Sequence, residues 1–140
     1  MEYEIRLIEK AAMFSILPLL ELAYPKISKD ILGERLKDML TKDYECVGVY
    51  DGEKLIGISG IWTLTKFYVG KHLEPDNVFV LLEYQGKGIG KLMMDWIFEY
   101  AKSLGYDALE LNCYVHNENG HQFWLKQGYE QIGRHYQKQL

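Results

Sequence analysis

The stretch that decides the fold reads Asn77-Val-Phe-Val-Leu-Leu82, followed by Glu83-Tyr-Gln85-Gly86-Lys87-Gly88-Ile89-Gly90-Lys91. The first segment is almost wholly apolar, which is typical of a short strand buried on both faces. Three glycines then fall within five residues. Apolar residues continue at helical spacing to Leu104, and Gly105 can end the helix in a left-handed conformation. The sequence therefore predicts a strand, a tight turn and a long helix in direct succession.

This turn has the chemistry of an anion site. The first N–H groups of a helix have no partner within the helix, and the helix dipole adds partial positive charge there. Glycines remove the Cβ atoms that would keep an anion away from the backbone. Because Lys87 and Lys91 flank the turn, we expect it to bind a pyrophosphate.

Two common phosphate motifs do not fit these residues. A P-loop needs glycine at position 85 and a hydroxyl residue after Lys91, but Gln85 and Leu92 stand there. A dinucleotide fingerprint starting at Gly86 and Gly88 needs a third glycine where Lys91 stands. A tight turn without a ligand remains the alternative.

The pattern around this stretch predicts one central sheet with helices, in an α/β or α+β domain. A hairpin turn is predicted at Asp51–Lys54, and residues 66–76 are predicted as a loop with Gly70 and Pro75 as breakers. Helices are predicted over Ala11–Tyr24 (with Pro18 starting or kinking it), Ser28–Leu40, Ile89–Leu104 and Glu118–Gln127. Further strands are predicted over Glu4–Ile8, Tyr44–Tyr50, Leu55–Thr65, Ala108–Val115 and Glu130–Lys138.

Composition limits the classes of protein to consider. The chain has 140 residues, which suits a single domain over 1–140, and no apolar run reaches the ~18 residues of a membrane span. Sixteen Lys and Arg against twenty Asp and Glu give a net charge of −4, so we expect no nucleic-acid partner. The charged N-terminus lacks a signal-peptide block, so we expect no membrane partner and a cytoplasmic location. Cys113, His116 and His121 match no common zinc spacing, so no metal is expected.

Two motifs together resemble one family. Gln85-x-x-Gly88-x-Gly90 resembles the acyl-CoA pyrophosphate motif of the GNAT superfamily of N-acyltransferases. Downstream, Asn117-x-x-Gly120-x-x-Phe123-Trp124-x-x-x-Gly128-Tyr129 resembles the family's second signature, at the family's usual separation. The element order is similar over nearly the whole chain.

The resemblance implies a fold and an activity. The fold would be a mostly antiparallel mixed sheet of about six strands flanked by about four helices, with a splayed strand pair at the acyl-CoA site. The activity would be transfer of an acetyl group from acetyl-CoA to a primary amine of a small molecule or peptide, by direct attack on the thioester. A homodimer is compatible with the family.

Cofactor-binding roles are implied residue by residue. The backbone of Val78, Phe79 and Val80 would pair with the pantetheine arm, and an N–H near Val80 or Leu81 would polarise the thioester carbonyl. Asn117 would hydrogen-bond the cofactor or cap a helix, and Phe123 would pack beside the arm. The pyrophosphate would lie against Gln85, Gly86, Lys87, Gly88, Ile89, Gly90 and Lys91.

The chain departs from the family where protons are transferred. The family often has Glu and Tyr where Asn112 and Trp124 stand, and neither of these can transfer a proton at neutral pH. We predict that Asn112, Tyr114 and Trp124 line the catalytic cleft. A non-catalytic acyl-CoA-binding or sensing module is therefore the alternative function, and a domain that binds no cofactor is a third. Replacement bases would be Glu110, His116 or His121, and replacement acids Tyr114 or Tyr136.

The acceptor site is less defined by sequence. The chain has eleven tyrosines and three tryptophans. In the family the first two helices and the loop after the third strand shape this site. Some of these aromatic residues could line it, with Tyr24, Trp62 and Tyr68 as candidates; ordinary packing is the alternative.

Overall fold

A computed structural model describes residues 2–140 as a five-stranded sheet with helices on both faces. The strands are β1 Glu4–Leu7, β2 Tyr44–Asp51, β3 Lys54–Lys66, β4 Gly70–Val80 and β5 Ala108–Leu109, in that spatial order. The helices are α1 Leu17–Ala23, α2 Lys29–Met39, α3 Ile89–Ser103 and α4 Glu118–Lys126, with 3₁₀ turns at Lys10–Ile16 and Leu82–Tyr84. The mixed α/β class is confirmed, with five strands where about six were expected.

The chain forms two compact units, one extending to Glu110 and the other covering Leu111–Leu140. The first holds the sheet with α1, α2 and α3, and the second holds α4. No helix within residues 2–140 is long and apolar enough to cross a membrane.

The first four strands are antiparallel neighbours, and β5 runs parallel to β4. Asp51 pairs with Lys54, so β2 and β3 form the hairpin that the Asp-Gly turn predicts. One face of the sheet, including Cys46 and Ile58, packs in a core with the buried residues of α1 and α2. The start of α3 covers the other face, where Ile89 lies beside Gly57 and Val49.

Helix boundaries follow the local signals in the sequence. Ser28 caps α2, its hydroxyl accepting from the Ile31 N–H at 3.3 Å. Pro18 lies in the first turn of α1, where its missing N–H costs nothing, so the predicted helix over 11–24 divides into a 3₁₀ turn and α1. Gly105 and Gly128, at φ of 72° and 93°, follow the ends of α3 and α4.

The predicted loop over 66–76 is confirmed only for the turn at residues 67–69 and is wrong beyond it, because residues 70–80 form one continuous strand. Gly70 begins β4, and Pro75 is tolerated inside it because its ring nitrogen lies on the edge away from β3. The last residues of β4, from Val78 to Val80, are half-buried rather than buried on both faces. The apolar run is therefore the exposed end of a longer strand.

Two other predicted strands are corrected. The strand predicted over Ala108–Val115 is limited to Ala108–Leu109, and residues 130–138 form no strand. Alternating apolar residues predict an extended backbone, but a strand also needs a neighbour with free hydrogen-bonding groups. Alternation alone carries no information about that neighbour.

Candidate functional site

The glycine-rich turn presents a row of free amides at the start of α3. Gly86 and Gly88 have φ of 76° and 79°, and Gly88 is the N-cap, with no side chain capping the helix. The first helical hydrogen bond runs from the Leu92 N–H to the Gly88 carbonyl at 3.1 Å. The N–H groups of the three residues between them therefore lack a helical acceptor.

Open space lies in front of this turn. A Cβ added at Gly86 or Gly88 would meet no heavy atom of residues 2–140 within 4 Å. Both φ angles fall where L side chains are strained, so the backbone conformation, rather than a contact within the protein, favours glycine at these positions. The turn therefore fits a diphosphate, which needs several N–H donors and close approach to the backbone.

Two lysines stand beside the turn. Lys91 forms an exposed pair with Asp95, one helical turn away, with 2.6 Å between Nζ and Oδ2. Lys87 Nζ lies 5.4 Å from the centre of the Tyr84 ring. Such exposed contacts are weak, so both ammonium groups are free to turn toward an anion.

The end of β4 exposes backbone groups on the edge away from β3. The Leu81 N–H donates to the Ile56 carbonyl on the β3 side at 2.9 Å. Because hydrogen-bonding direction alternates along an antiparallel strand, the backbone of Val80, and of Val78 before it, points to the opposite edge. Of the two amides expected to polarise a thioester, Leu81 is therefore engaged and Val80 is available. The Gln85 side chain donates from Nε2 to the Val80 carbonyl at 2.9 Å and so ties the turn to this edge.

β4 and β5 separate after a short ladder. The Leu73 carbonyl accepts from the Glu110 N–H at 3.0 Å, and the Lys71 carbonyl accepts from Asp107 at 2.8 Å. The next β4 residue facing that way is Pro75, which has no N–H to donate. The missing donor ends the ladder and leaves the following backbone of β4 without a partner from β5, which is the expected splay.

A bulge interrupts β4 at Asn77 and Val78. Gly60 pairs with Asp76 and Ile58 with Phe79, so Asn77 and Val78 together oppose Ser59. Asn77 is the one non-glycine residue at positive φ in the part of the chain described, at 56°. The bulge shifts the side-chain alternation by one residue.

Asn77 is held by two tyrosines. Its Oδ1 accepts from the Tyr44 hydroxyl at 3.0 Å, and its Nδ2 donates to the Tyr24 hydroxyl oxygen at 2.8 Å. Burial and nearby negative charge raise the pKa of Tyr44 well above the usual range, so this hydroxyl stays protonated. Asp76 beside it accepts from the Trp62 indole N–H at 3.0 Å and from the Asn77 N–H at 2.9 Å.

A second polar cluster lies where β4 and β5 part. His72 is fully buried, with Nδ1 3.2 Å from the Gly70 carbonyl and Nε2 2.9 Å from Glu74 Oε2. Since a carbonyl only accepts, the contact with Gly70 is a hydrogen bond in the tautomer that carries the proton on Nδ1. Glu110 Oε1 lies 3.6 Å from the same ring nitrogen. It also accepts from the Tyr68 hydroxyl at 2.5 Å, which raises the pKa of Tyr68.

The three aromatic residues suggested for an acceptor pocket share a property. Tyr24, Trp62 and Tyr68 each hydrogen-bond a polar residue on β4 or directly after β5. The sequence prediction missed Asp76, because Gly70 and Pro75 suggested a loop up to that residue, and it placed Asn77 in the following strand without a role. The alternation of polar His72, Glu74 and Asp76 with apolar residues would have indicated a strand.

The remaining predicted site residues lie in the second unit. Asn117 caps α4, its Oδ1 accepting from the Gly120 N–H at 2.9 Å, so the capping alternative is confirmed. Phe123 and Trp124 are half-buried and packed edge to face, with 4.8 Å between ring centres. Asn112 and Tyr114 are exposed, and His121 Nε2 lies 3.1 Å from the Tyr114 carbonyl oxygen.

Comparisons with known proteins agree with this architecture. The chain is 30% identical over 67 residues to the aminoalkylphosphonate N-acetyltransferase of Salmonella typhimurium. That match covers 48% of the chain and 44% of the relative, so it spans less than half of that protein.

Solved structures match over nearly the full chain. The ribosomal-protein-alanine N-acetyltransferase of Brucella melitensis superposes with a TM-score of 0.84 at 21% identity, covering 99% of both chains. AAC(6')-Iy, in complex with the bisubstrate analog CoA-S-monomethyl-acetylneamine, gives a TM-score of 0.85 at 15% identity, covering 100% of both chains. At these identities the likeness concerns the fold.

The sequence model of the acetyltransferase (GNAT) family matches residues 13–129. This range contains the glycine-rich turn, the edge of β4 and the second signature around α4. The chain therefore belongs to the GNAT family of acetyltransferases.

Proposed function

We propose that this chain is an N-acetyltransferase that transfers an acetyl group from acetyl-CoA to a primary amine of a small molecule or peptide. The observation that carries the proposal is the open glycine turn directly after the unpaired edge of β4. One feature fits a diphosphate and the other fits an extended amide-containing chain. Both occur in acyl-CoA, and family membership supports the same cosubstrate.

The turn would hold the diphosphate through Gly86, Gly88 and the amides at the start of α3, assisted by Lys87 and Lys91. The edge of Val78–Val80 would pair with the pantetheine arm as an added strand. The Val80 N–H, directed to that edge, would polarise the thioester carbonyl in the manner of an oxyanion hole. Asn117 and Phe123 are assigned to the cofactor on the family resemblance.

Bound acetyl-CoA supplies an activated acyl group with a thiolate leaving group. The acceptor must lose a proton before its nitrogen can attack, since an alkylammonium has a pKa of about 10.4. Asn112 and Trp124, predicted with Tyr114 to line the cleft, cannot take that proton. Asp76 is four residues before Val80 on the same strand, roughly 13 Å at a strand's rise, so its exposed carboxylate is assigned to take this proton through intervening water.

The acceptor is proposed to be cationic. Glu74 and Asp76 lie on the face of β4 that carries Phe79 and is packed against the core of α1 and α2. In the family, the first two helices and the loop after the third strand shape the acceptor site, which supports this assignment. Carboxylates on that face favour an ammonium substrate, in agreement with the net charge of −4. A cytoplasmic location, no metal, and no nucleic-acid or membrane partner complete the proposal, and a homodimer is compatible with it.

The test measures CoA binding by thermal shift and thiol release from acetyl-CoA over a panel of amines. At a CoA concentration 100 times Kd, binding stabilises the fold by about 2.7 kcal/mol. Gly88→Asp should abolish binding, because its carboxylate would stand where the diphosphate lies. Gly105→Asp is the matched control, since Gly105 has φ of 72° and open space at the other end of α3.

Gly105→Asp should lose more stability, because its carboxylate meets the negative end of α3, but only Gly88→Asp should lose CoA binding. Equal CoA affinity in both variants would overturn the site assignment. A non-catalytic acyl-CoA-binding module is the second candidate, favoured by Asn112 and Trp124. It predicts stabilisation by CoA without thiol release for any amine.

A further inference from the structure

We propose that Asn77 is a positioning residue of the acetyl-CoA site, because its clamped left-handed conformation decides which β4 amides face the cofactor. The inference rests on the proposed function. Asn77 lies in β4, outside the two sequence motifs that begin at Gln85 and Asn117.

The first step is the register of β3 and β4. Beyond the bulge, Phe79 is paired with Ile58, and the Leu81 N–H bonds Ile56. Before the bulge, Asp76 is paired with Gly60. If the earlier register continued without a bulge, residue 78 would oppose Ile58 and residue 80 would oppose Ile56. The Val80 N–H would then point into the sheet, and the open edge would present Phe79 and Leu81 instead.

The second step is the cost of the bulge. A φ of 56° lies in the left-handed region, which most L residues avoid and asparagine tolerates. Such a conformation persists where the surrounding structure holds it, and held conformations of this kind cluster at active sites and ligand-binding sites.

The third step is the clamp. Tyr44 is 2% exposed, and its ring lies 4.7 Å from that of Trp62, so its hydroxyl is fixed beside Asn77. A Cβ at Gly60 would collide with the Tyr44 ring and hydroxyl, so the glycine makes room for it. With Tyr24 on the other side, both polar atoms of the Asn77 amide are used. The side chain therefore holds the bulge rather than any ligand.

The experiment compares Asn77→Gly with Asn77→Ala. Both lack the side-chain amide, and they differ only in the Cβ that disfavours positive φ. If the bulged strand becomes a minor conformer, the measured Kd for CoA rises by the inverse of its population. The left-handed conformation is disfavoured for an L residue by a factor of roughly 5 to 30. Asn77→Ala should therefore weaken CoA binding by up to that factor, and by more than Asn77→Gly does.

Tyr44→Phe removes the hydrogen bond to Asn77 Oδ1 and leaves residue 77 unchanged. It therefore tests the inference even if the Asn77 variants do not fold. Its matched control is Tyr100→Phe, which also removes a part-buried hydroxyl bond, to Glu45 at 3.2 Å. Tyr44→Phe should raise the Kd for CoA and the KM for acetyl-CoA more than it lowers kcat. Tyr100→Phe should leave all three constants unchanged.

Amide hydrogen exchange in the absence of ligand separates a positioning role from a purely structural one. A structural role alone would leave the relative exchange rates of the Val80 and Leu81 amides unchanged. In the wild type the Val80 N–H should exchange fast and the Leu81 N–H slowly, and Asn77→Ala should reduce this contrast. If the folded Asn77 and Tyr44 variants bind CoA with wild-type affinity and show unchanged amide exchange at Val80 and Leu81, this inference is overturned while the proposed function stands. Absence of CoA binding by the wild type would overturn the proposed function and this inference with it.

Discussion

The Leu73 carbonyl accepts a hydrogen bond from the Glu110 amide at 3.0 Å, and this bond closes the ladder between β4 and β5. Two residues later Pro75 occupies the position whose N–H would continue the ladder. One residue without a donor thus fixes where the two strands part. The exposed edge of β4, on which the proposed cofactor site depends, begins there.

Pro75→Ala restores the missing donor. Its N–H can reach toward the Glu110 carbonyl and extend the ladder, which should narrow the gap between the strands. One net hydrogen bond is worth about 1 kcal/mol, so the affinity for CoA should fall by up to about fivefold. CoA titration and amide exchange at residue 75 are the measurements. Pro18→Ala serves as control, and a protected amide at residue 75 with unchanged CoA affinity would contradict the link between ladder and site.

His72→Ala should strongly destabilise the first unit. The buried imidazole joins Glu74 and Glu110, and its loss leaves a cavity and two carboxylates without their buried partner. Such losses cost about 3 kcal/mol, or roughly 10 °C in Tm for a chain of this length. Thermal unfolding measures the change, with His135→Ala, an exposed histidine, as control. A shift as small as that of the control would show that the cluster contributes little to stability.

The effect of Gly120→Ala on the free energy of unfolding should be opposite in sign in the native sequence and in an Asn117→Ala background. In the native sequence a Cβ at residue 120 collides with the Asn117 side chain, so the helix cap is displaced at a cost of about 1 kcal/mol. In an Asn117→Ala background the collision is gone, and alanine should stabilise α4 by up to about 1 kcal/mol as the better helix former. Chemical unfolding of the wild type, the two single variants and the double variant tests this coupling. Additive changes would refute it.

Tyr129→Phe should raise the stability of the fold and make the loss of stability above pH 10 less steep. The Tyr129 hydroxyl oxygen is buried without a hydrogen-bond partner in residues 2–140, and burial raises its pKa to about 12. An unfolded tyrosine ionises near pH 10, so this contribution is complete below pH 10 and is lost as the pH rises toward 12. The variant should gain about 1 kcal/mol at neutral pH. Tm is measured from pH 7 to 11; an equally steep decline in both proteins would show that other groups cause it.

The sequence by itself determined the features that depend on neighbouring residues. The glycine turn before α3, the Ser28 and Asn117 caps, the hairpin at Asp51–Lys54 and the glycines after α3 and α4 all follow from backbone preferences of single residues and short spacings. The two signatures also identified the family, because each is a local pattern that a phosphate site or a helix start requires.

Tertiary structure decided what depends on pairing between distant segments. A proline reads as a breaker in sequence, but Pro75 is accommodated where its nitrogen faces the gap beside β5. Asn77 adopts positive φ because Tyr24 and Tyr44, from two other parts of the chain, hold its amide. His72, Glu74 and Glu110 meet only when β4 and β5 align. Hydrogen-bonding direction in a sheet is a property of the register between strands, so no single segment could have revealed which amides of β4 are free.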